Sequence, residues 1–186
     1  MKKILLVIYT AAVFAACAPQ DYEPYATRGL YQPPKDYDQF KLERTACYGV
    51  CPVYEVIVNE KDILEFRGKR FVAEEGGAVG KRLADGSFDQ LIEIAAEHEF
   101  QSFDAAYPNA DVSNCPRMAT DNPRVIITIK AKNSAKKVSV YQGCMEFDGK
   151  ARWEEMVAAM EAVLDIDDLI GPRDAHIGKT KQAPIK

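Results

Sequence analysis

The chain changes hydrophobic period twice, in the same way each time. Alternating residues turn back through a short polar step and then give way to helical spacing. Period two puts successive side chains on opposite faces of a strand, whereas apolar residues at i, i+3, i+4 and i+7 line one face of a helix. In the first pass, residues 40–45 alternate. Residues 53–59 then set Val53, Glu55 and Ile57 against Tyr54, Val56 and Val58, and 63–67 return after Glu60-Lys61-Asp62. A further short strand is expected at 70–73, and a Gly-rich loop at 74–81. Ser87 opens a helix: Ser87 and Gln90 fit a capping box, while Phe88, Leu91, Ile92 and Ala95 share one face. Residues 104–122 are rich in turn formers and read as a long loop. In the second pass, strands at 125–130 and 137–141 flank an Asn133-Ser134 turn, and Asp148 is the expected N-cap of a second helix. Its apolar stripe is Trp153, Met156, Val157, Met160, Val163 and Leu164. The expected fold is α+β, an antiparallel sheet built from two hairpin–helix units with both helices packed on one face.

The amino-terminal segment is an address. Lys2 and Lys3 precede thirteen uncharged residues, 4–16. That run is too short to span a bilayer, which takes roughly 20 residues, but it suits the h-region of a secretory signal. It ends Phe14-Ala15-Ala16-Cys17, which resembles a bacterial lipobox. In such signals the cysteine is lipidated and becomes the new first residue. The alternative is ordinary cleavage at the A-x-A-like site, with Cys17 incidental. Ala18, rather than Asp, follows the cysteine and by the same resemblance favours the outer membrane. The expected domains are a signal peptide at 1–16, the lipidated Cys17 with a Pro/Tyr-rich tether to 38, one domain at 39–170, and a basic, disordered tail at 171–186. Residues 18–38 hold four prolines and four tyrosines and no period. As a flexible chain they reach roughly 25 Å on average.

Cysteine arithmetic follows from the address. Five cysteines become four once Cys17 is committed to lipid, and thiols outside the cytoplasm oxidise. Four cysteines allow three pairings. Cys47–Cys51 and Cys115–Cys144 are favoured, because Gly49 permits the tight turn of the first ring and the second ties the long loop to the end of the 137–141 strand. Closing that second loop stabilises the domain by roughly 3 kcal/mol. Cys47 and Cys51 lead into a strand rather than opening a helix, unlike the usual redox dithiol. The four cysteines lack the paired short spacings of a zinc site.

The remaining chemistry is sparse. Lys and Arg number 24 against 28 Asp and Glu, a net charge of −4, and removal of Lys2 and Lys3 leaves 22 − 28 = −6. An acidic balance argues against a nucleic-acid partner. No nucleophile elbow, zinc-protease helix or phosphate loop is present. His98 lies between two glutamates at a helix end and His176 lies in the tail. No catalytic residue, metal ligand or cofactor is assigned.

The stretch Cys47-Tyr48-Gly49-Val50-Cys51-Pro52-Val53-Tyr54 resembles the C-Y-G-x-C-P-x-Y signature of an uncharacterised bacterial family of envelope lipoproteins bearing one domain of unknown function. Ala119-Thr120-Asp121-Asn122-Pro123 and Tyr141-Gln142-Gly143-Cys144 resemble it too. The resemblance covers residues 40–170 and marks Tyr48, Gly49, Pro52 and Tyr54 as motif positions. It implies location and fold but no activity. The expected function is a non-enzymatic envelope lipoprotein, held in the membrane through Cys17 and binding a protein or other envelope partner from the periplasm or the cell surface. The alternative is an envelope enzyme, either a thiol oxidoreductase using Cys47 and Cys51 or a hydrolase without a sequence signature.

Overall fold

A computed structural model describes residues 37–110 and 113–172 of the chain. The expected signal peptide, Cys17, the expected tether up to residue 36 and the expected tail from residue 173, with His176, lie outside the described residues. The elements are β1 (Tyr37–Arg44), β2 (Val53–Asn59), β3 (Ile63–Arg70), β4 (Ala78–Arg82), α1 (Ser87–Glu97), β5 (Ala106–Tyr107), β6 (Arg124–Ala131), β7 (Ser134–Tyr141), α2 (Lys150–Leu164) and α3 (Asp167–Ile170). A 3₁₀ turn, Phe100–Ser102, follows α1.

Alternation along each strand becomes rows across the sheet. Strand order is β4-β3-β2-β1-β6-β7-β5, with β1 bonded on both edges. Register aligns Phe66, Val56, Leu42, Ile127 and Val138 in one row over five strands. All five are buried. Because paired residues point to the same side, the row makes one face of the sheet apolar. Phe88, Leu91, Ile92 and Ala95 of α1 and Trp153, Met156, Val157, Met160 and Leu164 of α2 are buried in the same core.

The opposite face is polar. On it Glu55 is 7% exposed. Its carboxylate meets Lys41 at 2.8 Å, Arg67 at 3.1 Å and Lys69 at 3.7 Å. Burial alone would raise this carboxyl, but the hydrogen bond and charge of Lys41, with the charges of Lys69 and Arg67, more than offset it and hold Glu55 below its ordinary value.

Several expectations are corrected. The sheet is mixed, since β5 runs parallel to β7. The chain order places four strands before α1, so the two passes are not equal units. β1 begins at Tyr37, and residues 71–73 are not a strand. The fourth strand lies instead at Ala78–Arg82, inside the expected Gly-rich loop. Gly80 does not disrupt it because β4 is an edge strand, bonded on one side only. Part of the long loop is β5, and α3 was not anticipated.

Both expected caps are displaced by one residue. Gly86 and Gly149, with φ of +85° and +80°, hold the N-cap positions that Ser87 and Asp148 were expected to hold. The donors at the start of α1 are satisfied from afar. Asp62, in the β2–β3 turn, accepts from the Gly86 N–H at 2.9 Å and the Phe88 N–H at 2.7 Å. A carboxylate at a helix N-terminus is favoured by orphan donors and dipole alike. Asp62→Ala is therefore expected to cost about 1–2 kcal/mol in denaturant unfolding, and Ser87→Ala much less. The reverse ranking would restore the local capping box.

Candidate functional site

The candidate site is one pole of the sheet, where β1 and β7 end and β2 and β6 begin. β1 enters the described residues at the other pole, where Tyr37 pairs with Ala131. Its eight residues separate the poles by about 25 Å.

Two disulfides sit at this pole. Cys47–Cys51 and Cys115–Cys144 are bonded, with Cα–Cα distances of 5.8 and 5.7 Å. The Cys47–Cys51 ring leaves β1 and enters β2. Gly49 turns at φ +144°, a conformation L side chains avoid. Tyr48 stands out from the ring at 88% exposure. Its N–H donates to the Asp121 carbonyl at 3.2 Å, which ties the ring to the next loop.

That loop interlocks with the end of β7. The Ala119 N–H donates to the Gly143 carbonyl at 2.8 Å, and the Gln142 N–H to the Pro123 carbonyl at 2.9 Å. The Asn122 N–H donates to the Tyr141 hydroxyl at 3.1 Å. A Cβ at position 143 would overlap the Ala119 carbonyl oxygen, so this close approach requires glycine. Met118, bridged to Cys144, and Met145, which follows Cys144, are both exposed. Backbone hydrogen bonds thus bring all three motif segments of the sequence together.

Behind them lies a charged group that the sequence reading passed over. Arg44 continues the Phe40–Leu42 alternation and therefore points to the apolar face, in register with Tyr54 and Val125. Glu161 falls four residues after Val157 and three before Leu164, inside the apolar stripe of α2. The signal in both cases was a charge at a core-facing position, which needs a partner. Arg44 Nε and Nη2 donate to Glu161 Oε1 at 2.8 and 2.6 Å. The Tyr54 hydroxyl donates to the same oxygen at 3.4 Å. Burial pushes the Tyr54 phenol up, and the charge of Glu161 adds to this. Burial alone would lower the Arg44 guanidinium, but Glu161 and Tyr54 more than offset it and leave it above its ordinary value. The Tyr54 ring stacks on Phe66 at 5.4 Å.

Two cavities share this pair. One of about 190 Å3 includes Gln142, Trp153 and Glu154 in its lining, and the other of about 260 Å3 includes Pro52, Tyr54 and Asp167. The Trp153 indole N–H, buried, has no acceptor among the described residues.

The sequence-derived positions thus fall together: Cys47, Tyr48, Gly49, Cys51, Pro52, Tyr54, Cys115 and Cys144 all belong to this pole. His98 does not, and lies against the Ile94 carbonyl on α1. Among the described residues no group of three or more His, Cys, Asp or Glu is placed to hold a metal ion. No helix among them is long and apolar enough to cross a membrane.

Residues 38–164 match the domain of unknown function DUF6438. The chain belongs to the DUF6438 family. The DUF6438 segment holds both disulfides, Tyr48 and the Arg44–Glu161 pair, and ends with α2, before α3. No curated protein matches the chain.

The Gly143 contact gives a direct check of the interlock. Gly143→Ala is expected to destabilise the domain by about 1–3 kcal/mol, the range for overpacking a filled site. It should also speed amide exchange at Ala119 and Gln142. Unchanged exchange at both amides would show that the loops are not held together there.

Proposed function

We propose that this protein is a non-enzymatic binding module of the bacterial cell envelope, lipidated at Cys17 and carried on a tether. In this reading the disulfide-bonded pole is its protein-binding surface. The observation that carries it is Tyr48, 88% exposed on a ring closed by Cys47–Cys51. An aromatic side chain on a rigid support supplies contact area at small entropic cost, and such residues anchor interfaces. Exposed Met118 and Met145 extend the surface with side chains that adapt to a partner's shape.

The anchor supports the same arrangement. The tether joins at Tyr37, so Tyr48 stands at the pole away from the attachment. Lipid at Cys17 holds the domain near the membrane, since each buried methylene adds about 0.8 kcal/mol. We read both helices as packed on the one apolar face, which leaves the two-disulfide pole open. The thiol-oxidoreductase alternative finds less support: the Cys47–Cys51 ring leads into a strand, whereas redox dithiols usually open a helix.

Two measurements on cells test the reading. Cys17→Ser should move the protein from the membrane to the soluble envelope fraction. A photoreactive residue at position 48 should give a discrete crosslinked species, whereas one at the exposed Lys132, beside the tether pole, should not. Equal crosslinking from both positions would overturn the assignment of the surface, and an unchanged membrane fraction would overturn the anchor.

A further inference from the structure

The cavity of about 260 Å3 lies between the start of β2 and α3, and its lining specifies a charge. We propose that it takes the ammonium group of a lysine side chain from the protein partner. This rests on the reading of the pole as a binding surface and names the chemistry recognised there.

Three observations converge. The first is charge: the walls carry one cation, Arg44, against two carboxylates, Glu161 and Asp167. An anionic guest is disfavoured and a cation is attracted. The second is where the donors go. Arg44 Nε, Arg44 Nη2 and the Tyr54 hydroxyl all donate to Oε1 of Glu161. Oε2 receives no hydrogen bond from the described residues, and neither does the exposed Asp167 carboxylate. The two carboxylates that line the cavity therefore keep open acceptor positions, one from α2 and one from α3. The third is the remainder of the lining. Pro52, Ile166 and Ile170 are apolar and suit the methylene stem of a long side chain.

The same geometry separates lysine from arginine. A guanidinium fork is best met by both oxygens of one carboxylate. On Glu161 one of those oxygens is already taken by Arg44. An ammonium is a compact charge with three rotatable donors and can meet single oxygens from separate carboxylates. The volume is below that of pockets for drug-sized ligands and suits one side chain. Ile166, Asp167 and Ile170, which complete the cavity, lie beyond the DUF6438 match, whereas Arg44, Tyr54 and Glu161 lie within it.

The test titrates three small probes into the intact chain and follows the amides of Tyr54, Ile166 and Asp167 by NMR. The probes are lysine capped at both ends, the same compound acetylated on Nε, and capped norleucine. Saturable shifts are expected with capped lysine alone. Glu161→Gln should weaken binding about tenfold or more. Asp167→Asn, which keeps the backbone carbonyl that accepts from the Gly171 N–H and changes only an exposed carboxylate, should weaken it about two- to threefold. Equal shifts from all three probes, no shifts from any, or full affinity in Asp167→Asn would overturn the proposal. Tyr48 does not line the cavity. Loss of the lysine site with crosslinking at position 48 retained therefore overturns this inference alone, and loss of both overturns the binding surface.

Discussion

Strand β1 is hydrogen-bonded along both edges, and that single constraint organises the molecule. It fixes β2 and β6 in register on either side, so their starts come together beside its last residue. One end of β1 continues from the tether. The other end carries Arg44 and then, after two residues, the Cys47–Cys51 ring. One fully paired strand thus sets the Tyr37 entry and the disulfide-bonded pole apart.

The disulfide-bonded pole is held by forces of different range. Disulfides restrict the unfolded chain and resist local opening. Hydrogen bonds between the 119–123 loop and the end of β7 fill in between them. The Arg44–Glu161 pair ties the end of the sheet to α2 at a partly buried place, where charge left alone would be costly. An exposed tyrosine on such a frame loses little freedom when a partner covers it.

Much of this was legible in the sequence because alternation is a local signal. Val53–Asn59 and the stripe from Trp153 to Leu164 announced their elements directly. The cysteine pairs were legible because Gly49 fits a small ring and the 115–144 loop has a natural closure. What escaped depends on distance along the chain. Asp62 caps α1 from 24 and 26 residues away, so Ser87 looked like the cap. β4 hid behind glycine and charge, which an edge strand tolerates. β5 is two residues long and takes its identity from its partner β7. Arg44 and Glu161 each broke an apolar pattern, and only the fold shows that the two breaks answer one another.

The account stands on oxidised sulfur at the pole where β1 ends. Peptide mapping without reduction, on protein alkylated inside intact cells before purification, tests this most directly. The account predicts Cys47 joined to Cys51 and Cys115 joined to Cys144, with none of the four alkylated. Alkylated Cys47 and Cys51 in that material, or either of them linked to another protein, would contradict it.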